Sequence, residues 1–198
     1  MRIALNARFL IEGKMEGIGY SCWEIYRRMI ELNPQHTFIL LFDRPYSTVF
    51  TTFKNVIPVC LYPPARHPVL WLIWFEWAIP KALRKWKADV FFSHDGFTSL
   101  RSTIPVFLTV HDLAFLAFPK QVPFLVYHFY RIFTPLYLKK ANHIFTVSNF
   151  VKEDIQAKLA FKENAKVYIK SFERSNLSYA VIDVEDKHKK LLEIIRNV

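Results

Sequence analysis

The chain has 198 residues, enough for one domain of ordinary size or one domain with a short appendage. Hydrophobic residues make up 52% and charged residues 22%, which excludes a disordered chain and allows a full core. The formal net charge of +10 points to an anionic partner such as phosphate, nucleic acid or acidic lipid, without choosing among them.

The opening, Met1-Arg2-Ile3-Ala4-Leu5-Asn6, meets polar residues too soon for a secretory signal. The apolar run over 69–75 is stopped by Glu76 and is too short to cross a bilayer. Cys22 and Cys60 share no metal or redox spacing, and two lone thiols suit a reducing compartment. The expected location is cytoplasmic, with room for contact at the inner membrane face.

Ile3-Ala4-Leu5 predicts a first strand, followed by the loop Glu12-Gly13-Lys14-Met15-Glu16-Gly17-Ile18-Gly19. Cys22, Ile25, Tyr26, Met29 and Leu32 then recur at helical spacing, and Asn33-Pro34 ends that helix. The continuous apolar run 37–42 suits a strand buried on both faces of a parallel sheet. A third strand over 56–62 contains Pro58, which favours a sheet edge. Residues 69–86 read as a helix bent or split at Pro80. Strands are expected at 89–92, 106–110, 144–147 and 166–169, with helices at 122–140 and 150–160. Strict alternation of strand and helix predicts an α/β fold, Rossmann-like, with a parallel sheet covered by helices on both faces. Residues 1–169 form this domain, and 170–198 form a short atypical tail. In the tail, residues 186–197 suggest an amphipathic helix on Leu191, Leu192 and Ile195 that folds back on the domain.

Ligands of an open parallel sheet bind beyond the C-terminal ends of its strands. Four loops fall there: residues 13–19, His94-Asp95-Gly96, His111-Asp112-Leu113 and Ser148-Asn149. The amides of Gly17, Ile18 and Gly19, leading into a helix, could hold an anion, or the glycines could simply permit a tight turn. A dinucleotide fingerprint is disfavoured because its third glycine position is Cys22, although Asp43 ends the second strand where a ribose-binding acid would stand. His111 can take a proton, donate to an anion or hold a hydroxyl; it can equally be structural. Asp95 either accepts from hydroxyls or caps the Gly96 turn, Ser148 is either a helix cap or a ligand contact, and Asp112 is a further candidate substrate contact that could help fix the orientation of His111. Asp95 and Asp112 form no metal signature and Asp-x-Asp is absent, so no metal site is expected and metal-dependent transfer is disfavoured. The aromatic and basic residues of 69–86 fit either a core between helix and sheet or an interfacial helix, with the core preferred. Nucleic-acid binding rests on charge alone, so no nucleic-acid partner is expected.

Five segments in order carry a family resemblance: residues 2–10, Glu16-Gly17-Ile18-Gly19-Tyr20, Phe92-Ser93-His94-Asp95-Gly96, residues 109–115 and residues 145–155. Together they resemble the N-terminal domain of the retaining GT-B glycosyltransferases of family 4 (group 1), which includes bacterial lipopolysaccharide and mannosyl transferases. The resemblance covers about residues 1–169. It implies two Rossmann-like domains facing across a cleft, with the nucleotide sugar held mainly by the second and no further cofactor. It sets Gly17 and Gly19 near the donor diphosphate, and His111 near the acceptor and transferred sugar. The implied acceptor is a glycan or lipid-linked molecule. Residues after Ile169 match none of the expected donor-binding domain. The expectation is therefore an acceptor-side half, inactive and weak in donor binding until a C-terminal domain completes it, whether as truncation, frameshift remnant or split subunit. The alternative is a non-catalytic Rossmann-fold interaction protein.

Overall fold

The computed structural model describes residues 1–159 and 167–169, the last three as backbone only. Seven strands form one sheet: β1 (Arg2–Asn6), β2 (Thr37–Phe42), β3 (Val56–Cys60), β4 (Val90–Ser93), β5 (Val106–Val110), β6 (His143–Thr146) and β7 (Val167–Ile169). Their order is β3-β2-β1-β4-β5-β6-β7, with every pairing parallel. The parallel α/β expectation therefore holds. β3 is an edge strand, which suits Pro58, since a proline has no amide hydrogen to give to a further neighbour. The expected tail helix at 186–197 lies outside the described residues.

Alternation along each strand divides the interior into two cores. On one face Ala4, Ile39, Phe91, Val106, Leu108 and Ile144 pack with helices α2 (Pro68–Ile73), α3 (Ile79–Lys85), α5 (Phe124–Lys140) and α6 (Asn149–Leu159). On the other, Leu5, Phe38, Leu40 and Phe92 pack against Cys22, Tyr26 and Ile30 of helix α1 (Gly17–Leu32). An apolar hollow of ≈ 460 Å³ lies beside α1, lined in part by Ile25, Met29, Phe92 and Phe107.

The 69–86 segment is one helical rod rather than two helices. A π-helical turn, Trp74–Ala78, joins α2 directly to α3, and Pro80 sits in the first turn of α3. A proline there removes an amide that the wider turn leaves less constrained, so the chain continues without a break. Its aromatic residues divide by position. Trp74 and Phe75 are fully buried, whereas Trp77 is 53% exposed. Residues 114–117 add a single turn, α4 (Ala114–Ala117).

Candidate active-site cleft

The strand order reverses between β1 and β4, and in open parallel sheets that reversal opens a crevice at the carboxyl ends. The residues that end β1, β4 and β5 meet there: Asn6 with Arg8, Ser93 with His94 and Asp95, and Thr109 with His111. Tyr26 of α1 donates from its hydroxyl to the Asn6 carbonyl at 3.0 Å, tying the helix to the end of β1. Burial raises both the Tyr26 phenol and the neighbouring Cys22 thiol, so both stay protonated.

Asp95 is the hub. Its Oδ2 accepts from Arg8 Nε at 2.6 Å and from Asn6 Nδ2 at 2.7 Å, and its Oδ1 accepts from Ser93 Oγ and the Phe97 amide, both at 3.1 Å. The Arg8 and Asp95 side chains are 6% and 2% exposed. Arg8 also lies over the rings of Phe97 (4.4 Å) and Phe9 (4.8 Å), which present their negative faces to the cation. Four hydrogen bonds fill the Asp95 carboxylate. It therefore builds the loop rather than offering a free oxygen. Gly96 follows at φ +80, a conformation that excludes most side chains, and its amide donates to the Thr109 carbonyl. This joins the β4 loop to β5.

His94 is 2% exposed, with Nε2 3.1 Å from Ser21 Oγ and Nδ1 3.0 Å from Thr109 Oγ1. Burial, with a smaller contribution from His111, lowers its pKa to about 3, so it is neutral at physiological pH. His111 lies edge-on to it, with ring centroids 4.7 Å apart. His111 Nε2 is 2.8 Å from the His94 carbonyl oxygen. A carbonyl can only accept, so Nε2 carries the hydrogen, and Nδ1 is the acceptor of the neutral ring.

A cavity of ≈ 220 Å³ opens beside this cluster. Its lining includes Ile18 from α1, Asp95, Gly96 and Phe97 from the β4 loop, His111 and Asp112 after β5, and Tyr130 and Thr134 from α5. The cavity wall thus brings together His111, Asp112, Asp95 and Ile18. Asp112 does not orient His111: its Oδ1 accepts from the Ala114 amide at 2.9 Å, a local turn that leads into α4. The His94 carbonyl holds the imidazole instead.

Gly17 and Gly19 are not in the loop before the helix; they form the first turn of α1. At Gly19 a Cβ would stand 2.7 Å from the Phe9 carbonyl oxygen, so the helix packs on the β1 loop only without a side chain there. Gly17 has nothing within 4 Å of such a Cβ. Ser148 accepts from the Val151 amide at 3.2 Å, the geometry of a cap on α6. Asp43 is fully buried, paired with Arg44 at 2.6 Å, and accepts from the Ala65 amide, which leaves no carboxylate for a ribose. Asn6, Arg8, Ser21 and Thr109 were not singled out from the sequence. They carry no spacing signal, because they meet only once β1, β4 and β5 have paired and α1 has packed on the sheet.

The sequence model of Glycosyltransferase Family 4 matches residues 15–169. A search of curated proteins finds no match. Among solved structures, a glycosyltransferase from Rickettsia africae ESF-5 superposes with TM-score 0.52 at 14% identity, covering 98% of this chain and 49% of its own. Apo UGT2 of Phytolacca americana superposes with TM-score 0.51 at 12% identity, covering 97% and 55%. At these identities the likeness concerns the fold, and the chain spans about half the length of each structure. With most of its length matched by the family model, the chain belongs to Glycosyltransferase Family 4.

Proposed function

We propose that this chain is the acceptor-side half of a GT-B glycosyltransferase. Completed by a C-terminal donor-binding half, it transfers a sugar from a nucleotide sugar to a glycan or lipid-linked acceptor, in polysaccharide biosynthesis on the cytoplasmic side of a membrane. The observation that carries the reading is the position of His111, held by the His94 carbonyl on the wall of a cavity at the strand-order reversal.

In this reading His111 positions the reacting groups: neutral Nδ1 accepts from a sugar or acceptor hydroxyl, and the protonated ring would donate to a phosphate oxygen. Covalent attack is not assigned to it. The amides of Gly17, Ile18 and Gly19 at the start of α1 face the donor diphosphate, where free N–H groups favour anions. Asp112 accepts from an acceptor hydroxyl with Oδ2, the oxygen that does not hold the Ala114 amide. Asp95 and Ser148 contribute by fixing the loops that carry the sugar contacts. Most of the donor affinity is assigned to the facing domain, because these few amides supply only one side of the donor site.

The test is a transfer assay on the chain with and without a supplied donor-binding domain of the family. Transfer only in the combined sample supports the reading. Absence of transfer and of acceptor binding in both samples would instead favour a non-catalytic Rossmann-fold interaction protein.

A further inference from the structure

The outward faces of the α2–α3 rod and of α5 have a pattern that the cleft does not use. Val69, Ile73, Trp77, Lys81 and Lys85 are spaced by four, and all five are exposed. In an ordinary α-helix that spacing drifts around the axis by about 40° per step. The π-helical turn Trp74–Ala78 widens the helix midway along, which reduces the drift and keeps the line on one side. The line is apolar through Trp77 and basic beyond it.

Helix α5 repeats the arrangement. Leu125, Ile132 and Leu136 are 58%, 57% and 40% exposed, and the last turn carries Lys139 and Lys140. The two helices lie in one layer on the same sheet face, locked by Trp71 against Phe129 at 5.3 Å and against Tyr130 at 6.2 Å. Their solvent sides therefore look away from the sheet together. Between Arg66 and Ala88 the one acidic residue, Glu76, is buried, with Oε1 accepting from the Leu100 amide at 2.9 Å. From residue 113 to 140 no acidic residue occurs.

We propose that this surface docks on an anionic lipid bilayer, with Trp77, Ile73 and Ile132 entering the acyl boundary and Lys81, Lys85 and Lys139 meeting lipid phosphates. Aliphatic and indole groups beside cations that have no acidic partner among the described residues, on a solvent-facing layer, are what a surface-lying contact requires. No described helix is long and apolar enough to cross a membrane, so the contact lies along the surface. A protein partner would have to neutralise the same cations while covering Trp77; a bilayer of acidic lipids supplies both functions in one plane. The N-terminal end of α5, with Phe124 exposed, adjoins Val122 in the cavity wall, so a docked molecule holds its cleft next to the lipid. That last relation rests on the function proposed above; the docking itself does not.

The test is sedimentation of the full chain with sucrose-loaded vesicles of equal phosphatidylglycerol and phosphatidylcholine, and with phosphatidylcholine alone. Binding to the mixed vesicles should exceed binding to the neutral ones at least roughly tenfold, and Lys81→Glu/Lys85→Glu should lower it by a similar factor. Trp77→Glu should also abolish most binding, with Ile73→Ser as a second apolar variant if circular dichroism shows Trp77→Glu misfolded. Failure to bind anionic vesicles overturns the proposal, as does binding that neither apolar variant reduces. A concentration-dependent dimer that Trp77→Glu dissolves would assign the surface to a second copy and overturn it too. None of these readings depends on sugar transfer, so failure here leaves the transfer reaction to its own assay.

Discussion

Arg8 Nε stands 2.6 Å from Asp95 Oδ2, with the two side chains 6% and 2% exposed, so the loops after β1 and β4 are joined by an ion pair with almost no water. Such a pair is costly to form and costlier to break, because a lone buried charge has no substitute for its partner. Arg8→Met or Asp95→Leu should each destabilise the fold by about 3–5 kcal/mol. In the double variant Arg8→Met/Asp95→Leu, the loss should be clearly less than the sum. Urea denaturation measures all three, and single-variant losses under about 1 kcal/mol would place the pair among ordinary surface ion pairs.

His94 makes stability depend on pH. Its folded pKa is lowered from 6.5 to about 3, so the folded state disfavours a proton that the unfolded chain accepts. The contribution is complete above pH 6.5 and is lost as pH falls from 6.5 toward 3. Within that window the slope approaches about 1.4 kcal/mol per pH unit, the value for one proton. Comparing the pH dependence of unfolding in the native chain and in His94→Gln isolates this proton from the carboxylates. Equal slopes in the two proteins would show that His94 is not kept neutral by burial.

The two glycines of the first α1 turn should respond in opposite ways. Gly19→Ala puts a methyl group against the Phe9 carbonyl and should cost about 1–3 kcal/mol. Gly17→Ala meets open space and should be neutral or stabilising by up to about 1 kcal/mol. Thermal unfolding distinguishes them. A tolerated Gly19→Ala would mean that α1 does not sit as closely on the β1 loop as described.

His111 should separate activity from stability in the reconstituted enzyme. His111→Ala is expected to reduce transfer by roughly a hundredfold, the scale of losing one positioned donor or acceptor. The melting temperature should barely move. His111→Gln should recover part of the activity, since its amide can donate to the His94 carbonyl while its oxygen accepts in place of Nδ1. Full activity in His111→Ala together with a lower melting temperature would make the residue a loop anchor.

Much of the fold was legible in the sequence because burial on both faces leaves continuous apolar runs. Residues 37–42 and 106–110 are strands with the limits that their composition suggested, and Pro58 marked an edge. The irregularity near Pro80 was also visible, but not its form, since a π-helical turn has no residue signature of its own. For the cleft, position at strand ends singled out His111 and Asp95 without their partners. Tertiary structure decided that Asp95 is consumed by Arg8, Asn6 and Ser93, and that a backbone carbonyl rather than Asp112 holds His111. It also decided which of the tryptophans in 69–86 enter the core and which remains outside. The physical reason is the same in each case. Hydrophobic periodicity is a local property of the chain, whereas hydrogen bonds between residues some 87 positions apart exist only once parallel strands have set their register.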